Sequence, residues 1–379
     1  MRKITIGTFD CTENDIKIVS DALRSGYLST GKEMKFLEEQ VALLHNKDFG
    51  VMVNSGQSAL EAAIAYAKDQ FGKNNLNIVC PTTTYAATLW AILREGCTPI
   101  FCDIDETYNL DYNQIADIKE DIDVLLPVDL CGKTAEPPFD VWNSHYIIED
   151  ACEAFGNGNC GYGDITCFSF YVSHIITTGS GGMICVEKEE IQEWLRSFIS
   201  HGRSYGGDFT KYKDVWVDRF LFDKVGVSYR SDNLSAALGK SQLATLDDVI
   251  KKRKRNAKIL IDRYNKSDSL QQYFIFQTEE YHSDCVFQFF PILIRESSLN
   301  REHLLSYLFK EGIDSRVLLS LTNQPKFIDL FGDIRERYPN SNYCNDNGFI
   351  VGCHQNLDED DMEYVIEILE RYVDSNRRP

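Results

Sequence analysis

Three groups of residues in this chain stand where they could do chemistry. The first is His174, in the stretch FSFYVSHIITTGSGGMICVE, residues 168–187. It stands where an apolar, strand-like run gives way to a loop of small residues. Imidazole titrates near neutral pH, so a histidine there can take up or hand on a proton. The second group is Glu149 and Asp150, which close the apolar run YIIED. A carboxylate at the end of a buried strand is costly unless it meets a positive partner. A protonated ring nitrogen of a cofactor is one such partner; the alternative is an acid that caps the following helix. The third is VNSGQSAL, with Ser55 and Gly56 between a strand and a helix. Free amides at a helix start can hold an anionic phosphate, and glycine allows its close approach. By itself, a strand–turn–helix containing a glycine is also a common structural junction.

Groups at strand ends converge only if the strands lie side by side, as in open α/β sheets. From residue 12 to about 187, helical and strand-like segments alternate. TENDIKIVSDALRSG, KEMKFLEEQVALLHN, SALEAAIAYAKDQF and YAATLWAILREG have helical periodicity. FGVMVN, NIVCP, TPIFCDID, DVLLPVDL, YIIED, DITCFSFY and GGMICV are short apolar runs. Buried strands spaced by helices predict an α/β fold with a mostly parallel sheet covered on both faces. A long charge-laced helix is expected from about Asn233 to Tyr264. After it come FQFFPILI as a strand, REHLLSYLFKEGI as a helix and MEYVIEILERYV as a closing helix. The boundary is placed near residue 255, giving a large domain (1–255) and a smaller C-terminal α/β domain (256–379).

Of the 379 residues 43% are hydrophobic, ample for a sizeable core. The 58 acidic against 39 basic residues give a net charge of −19, a poor match to nucleic acid or an anionic membrane. The basic cluster KKRKRN (251–256) reads as a solvated helix face. No apolar run is long enough to span a membrane, and the N-terminus lacks a secretory signal. The 12 cysteines are no disulfide framework in a chain this long, and several sit in apolar runs. A reducing cytoplasm is the expected compartment. No CxxC pairing or other metal set emerges.

Taken in order, SGYLSTGKEMKFLEE, VNSGQSAL, CPTTTYAATLWAILREGCTPIFCDID, IIEDACEAFG, FSFYVSHIITTGSGGM and VSYRSDNLSAALGKSQL resemble the successive motifs of the DegT/DnrJ/EryC1/StrS family. The match covers nearly the whole chain. It implies fold type I, the aspartate aminotransferase-like fold, and a pyridoxal phosphate-dependent enzyme acting on nucleotide-linked keto-sugars. By resemblance, Gly56 and Gln57 offer amides to the cofactor phosphate and Ser169 adds a hydroxyl. Tyr85 stacks on the pyridine ring, Asp150 pairs with its protonated nitrogen, and Glu153 lies near the phenolic oxygen. A homodimer that shares its sites between subunits is implied as well.

In most members SFxxxK supplies the Schiff-base lysine, whereas SFYVSH here supplies His174. Imidazole has no primary amine, and no lysine occurs between Lys133 and Lys188. The cofactor is therefore expected to be held non-covalently, as pyridoxamine phosphate, with His174 moving a proton at its C4′. Within the family this change resembles the sugar 3-dehydratases, which remove the C3 hydroxyl of a nucleotide-linked 4-keto-6-deoxyhexose. Cys152, Glu153 and the segment SRVLLSLTNQPKF agree with that subgroup. Its iron–sulfur type carries cysteines after a histidine–glycine–arginine, where this chain reads HGRSYGG, and no cysteine lies between Cys185 and Cys285. The cluster-free type, with glutamate as amino donor, is the expectation.

Three positions depart from the family pattern. Ser180 replaces an acid, and Ser228 in VGVSYR replaces the asparagine that reaches the partner subunit's phosphate. Gln57 replaces a smaller serine or threonine. Arg230 remains available to supply charge across a dimer interface. The competing readings are a sugar aminotransferase with an unusual base, a non-enzymatic paralogue, and a dehydrase that borrows external electrons without its own cluster. Against the aminotransferase stands the missing lysine; against the paralogue stand Asp150, Ser169 and Tyr85.

Overall fold

The computed structural model describes residues 2–204, 213–214, 217, 220–277, 285–295 and 299–376. Seven strands form the larger sheet: β1 (Phe49–Val53), β2 (Asn77–Pro81), β3 (Thr98–Cys102), β4 (Val124–Leu125), β5 (Tyr146–Asp150), β6 (Ile165–Ser169) and β7 (Gly182–Val186). Their order is β1-β7-β6-β5-β4-β2-β3. The β2–β3, β2–β4, β4–β5 and β5–β6 pairs are parallel, while β7 runs antiparallel to both β1 and β6. The sheet is thus mostly parallel, as the alternation predicts, with one reversed strand next to its edge.

The two-residue period of the strands divides their side chains between two cores. Val51, Val53, Ile184 and Val186 face one side, where they meet Ala59, Ala62, Ala63 and Ala67 of the helix Gly56–Phe71. Met52, Met183, Cys185 and Phe168 face the other and meet Met34, Leu37 and Val41 of the helix Lys32–Leu44. The alanine row lets the first helix lie close to the sheet. That closeness brings its N-terminus down to the strand ends where the candidate residues are found.

A second, antiparallel sheet has the order β10-β11-β9-β8, built from β8 (Phe274–Phe276), β9 (Phe290–Ile294), β10 (Ser315–Val317) and β11 (Gly348–Val351). Phe349 and Val351 face a core closed by the helices Leu246–Tyr264, Arg301–Lys310 and Glu359–Asn376. Ile350 and Leu293 pack on the larger core instead. The N-terminus also belongs here: Ile4 N donates to Gly312 O (2.9 Å), Asp314 N donates to Ile4 O (2.8 Å), and Ile4 lies fully buried in the second core.

Two sequence expectations are corrected. The long helix from Asn233 is two helices, Asn233–Leu243 and Leu246–Tyr264. They part where Thr245 leaves helical geometry and gives its hydroxyl to Gln242 O (3.0 Å). Nor is KKRKRN uniformly solvated, because Arg253 and Asn256 are buried. Arg253 Nη1 donates to Phe287 O and Gln288 O, both at 3.1 Å, and Asn256 Nδ2 donates to Cys353 O and His354 O. The helix Leu246–Tyr264 passes unbroken through residue 255.

His45, at the end of the helix Lys32–Leu44, is fully buried against Phe155 and Phe168. Its Nδ1 bonds to Val41 O (2.9 Å) and its Nε2 accepts from Gly156 N (3.0 Å). The ring is therefore neutral, and burial pushes its pKa down to about 4. Between pH 6.5 and 4 the unfolded chain binds a proton here that the folded chain refuses, so this contribution to stability is lost as pH falls. His45→Gln should lose less stability than the wild type over that window, by about 3 kcal/mol at most. Urea unfolding at pH 7, 5.5 and 4.5 measures it; equal pH dependence in the two proteins would refute the assignment.

Candidate active site

Adjacent residues of a strand point to opposite faces, and the ends of β5 show the consequence. The Glu149 carboxylate accepts from Gly161 N, Gly163 N and Thr166 Oγ1 at 2.7–3.1 Å, so its needs are met inside the fold. Asp150 is also buried and accepts from Thr88 Oγ1 on Oδ2 (2.9 Å) and from Cys152 N on Oδ1 (3.3 Å), with the Cys152 thiol beside it. Among the described residues it forms no ion pair, and burial raises its pKa. Residues 151–160 form turns rather than a helix, so Asp150 is no helix cap. Thr88 lies in the helix Ala86–Arg94, which begins after Tyr85; Tyr85 is 76% exposed.

Ser55 caps the helix Gly56–Phe71 by accepting from Ser58 N, and the amides of Gly56 and Gln57 have no partner among the described residues. A Cβ on Gly56 would lie 2.7 Å from Ser169 Cβ and 2.9 Å from Cys152 Sγ. Only glycine lets this helix start meet the ends of β5 and β6. Gln57 gives its amide to Glu61 (2.8 Å) and, with Asn54, Ser55, Ser58, Arg94 and Tyr229, lines an open cavity of about 430 Å³. These residues fit the cofactor that the family resemblance implies. A buried acid without a cation suits a protonated ring nitrogen. Free helix-start amides beside the Ser169 hydroxyl suit a phosphate. An exposed tyrosine suits the face of a ring.

His174 follows β6 in a loop closed by its own N–H to Tyr171 O (2.9 Å). It is half-buried, and its Nδ1 is shielded from solvent without a hydrogen-bond partner. Burial, with the charge of Arg253 adding to it, pushes its pKa down to about 4. At neutral pH the ring is uncharged and free to accept a proton. Glu153 Oε2 accepts from Cys131 N (2.7 Å); burial, helped by the nearby Asp150, pushes its pKa up to about 7. His174 is thus held uncharged and Glu153 is shifted toward its protonated form, each by its own surroundings.

Ser228 and Arg230 lie apart from this group on an exposed segment beside the end of β1. Arg230 pairs with Val53 in the backbone, and its guanidinium donates to Ser228 Oγ (3.2 Å) and lies 3.1 Å from His201 Nε2. Ser180 donates to Asn54 O (3.1 Å), which anchors the loop before the paired glycines. HGRSYGG is described only through Ser204, and its remainder lies outside the described residues. Sequence reasoning missed Thr88, Cys131, Gln288 and Arg253. Only Gln288 left a signal, as one polar residue inside the apolar run VFQFFPILI.

Comparisons with known proteins agree with this geometry. The DegT/DnrJ/EryC1/StrS aminotransferase family matches residues 10–370. The chain is 28% identical over 382 residues to GDP-4-keto-6-deoxy-D-mannose 3-dehydratase of Escherichia coli O55:H7, covering 94% of this chain and 96% of that protein. It is 25% identical over 389 residues to GDP-perosamine synthase of Escherichia coli O157:H7, covering 98% and 99%. The solved structure of the Escherichia coli 3-dehydratase with bound hydrated pyridoxal phosphate superposes with a TM-score of 0.87 at 26% identity, over 97% of this chain and all of the other. The architecture is that of fold-type I pyridoxal phosphate enzymes, and the chain belongs to the DegT/DnrJ/EryC1/StrS aminotransferase family.

Proposed function

We propose that this enzyme is a pyridoxamine phosphate-dependent 3-dehydratase of a nucleotide-linked 4-keto-6-deoxyhexose. One observation carries the reading: His174 stands where the family's Schiff-base lysine is expected, and residues 134–187 contain no lysine to replace it. Its neutral, shielded ring suits a base. When bound, the cofactor supplies a primary amine for the C4 ketone and a ring that draws electrons.

Asp150 would hold the proton on the ring nitrogen, and the Gly56 and Gln57 amides with Ser169 would hold the phosphate. Tyr85 would cover the ring face, and Glu153 would serve the phenolic oxygen. His174 would move the proton at C4′, and the C3 hydroxyl would leave the sugar. The products are a 3-deoxy-4-keto-sugar and ammonia, and glutamate as amino donor restores the amine and leaves as a keto acid. The donor thereby supplies the two electrons that the deoxygenation needs. The reading includes a homodimer, as the family resemblance implies. Among the described residues no helix is long and apolar enough to cross a membrane. A cytoplasmic location belongs to the same proposal.

Mass spectrometry of products from a panel of nucleotide-linked 4-keto-6-deoxyhexoses with glutamate tests the reaction class. Dehydration gives a sugar lighter by one oxygen atom, with ammonia released. A product whose ketone has become an amine would instead make the chain an aminotransferase.

His174→Asn should fold and bind pyridoxamine phosphate but lose about 10²–10⁴-fold in turnover, the range for a positioned general base. Wild-type turnover in that variant would put the base elsewhere.

Asp150→Asn removes a buried carboxylate that has no cation, while the amide oxygen can still accept from Thr88. The apoprotein should melt no lower than the wild type and should retain cofactor at least tenfold less well on dialysis. Equal retention would exclude Asp150 as the ring-nitrogen partner.

A further inference from the structure

His174 and Glu153 come from separate stretches of the chain, and one path of hydrogen bonds and backbone joins them by way of residues just before β9. Cys131 N donates to Glu153 Oε2 (2.7 Å). The carbonyl of Cys131 accepts from Gln288 N (3.0 Å). The side-chain amide of Gln288 then donates to the carbonyl of Ser173, the residue immediately before His174. Gln288 is fully buried, and its own carbonyl is clamped, together with that of Phe287, by the guanidinium of buried Arg253.

The backbone at this crossing adopts conformations that residues with a Cβ rarely take. Cys131 has φ 57° and Phe287 has φ 52°. Such geometry persists only where the surroundings over-determine it, and it gathers at functional sites. The two loops are pressed together: a Cβ on Gly132 would lie 2.8 Å from Phe287 N and 2.9 Å from Gln288 N. Packing alone does not call for a glutamine here. Its Oε1 is buried without a partner among the described residues, a cost that an aliphatic side chain of similar volume avoids. What the glutamine adds is the hold on Ser173.

We infer that Gln288 is a positioning residue: its amide fixes the Ser173 carbonyl and so the direction from which His174 enters the site, in register with Glu153 through Cys131. The inference rests on the reading of His174 as the base, and its test separates the two. Gln288→Leu keeps the volume and removes the donor. Gln288→Met keeps the length of the side chain and also lacks the donor, and it reports if the leucine variant does not fold. In the apoprotein, carbethoxylation of His174 by diethyl pyrocarbonate, followed by peptide mass spectrometry, should be at least about fivefold faster in either variant, as local opening becomes easier. The rate at His303, on the far side of the second core, should stay unchanged and serves as the reference. In the cofactor-loaded enzyme kcat should fall about tenfold or more, with KM within about twofold, as for an interaction made only in the transition state. A folded Gln288 variant whose His174 reacts at the wild-type rate overturns the proposal. Because that rate is read without cofactor or substrate, it decides the positioning role even if His174→Asn reveals a different base.

Discussion

A buried carboxylate without a cationic neighbour has to be held by something other than an ion pair. In this chain Asp150 is held by the hydroxyl of Thr88 and the amide of Cys152. The arrangement leaves a negative charge, or the tendency toward one, aimed at the space above the strand ends. Everything nearby answers to it. The parallel order of β4, β5 and β6 brings their carboxyl ends to one edge. Gly56 lets a helix start reach the same edge, and Glu153 is pushed toward its protonated form partly because Asp150 is near. A lysine or arginine inside this fold at hydrogen-bonding distance from Asp150 would satisfy the acid and take away its affinity for a cationic ring.

Much of this was legible in the sequence because strands buried on both faces are written as continuous apolar runs. YIIED, DITCFSFY and GGMICV could be placed as strands from composition alone, whereas the family resemblance was needed to single out Asp150 and Ser169 on them. The choice of Asp150 over Glu149 came from the family resemblance, since the two-residue period says only that the neighbours face opposite sides. The interior role of Arg253 was not legible. A run of five basic residues in six positions on a helix gives no sign of which one turns inward, and only tertiary packing decides. The same holds for the break at Thr245. Threonine is tolerated within helices, and here its hydroxyl competes for a carbonyl of the preceding turn. The positive φ of Cys131 and Phe287 left no trace either, because neither residue type favours it.

The electrostatics of the site run opposite to the ordinary values of its groups. The histidine's pKa is lowered and the glutamate's is raised, both chiefly by desolvation. Near neutral pH the imidazole is uncharged, and the carboxyl is divided between its protonated and ionised forms. Burial accounts for both shifts, with Arg253 biasing the histidine further.

The seating of Ile4 bears on how the chain is made. Its backbone is bonded on either side of Ile313, and its side chain completes a core whose other walls come from the last third of the chain. On a ribosome Ile4 therefore has no binding place until the segments from Ala257 to Val373 that form this core have followed. Pairings of such wide sequence separation close late, since the entropy of closing the loop comes before any contact rewards it. The larger sheet can assemble while synthesis continues, but the smaller core has to wait for both Ile4 and the helix Glu359–Asn376. In the interval its apolar face is bare, and that is the stage at which this protein is most exposed to aggregation.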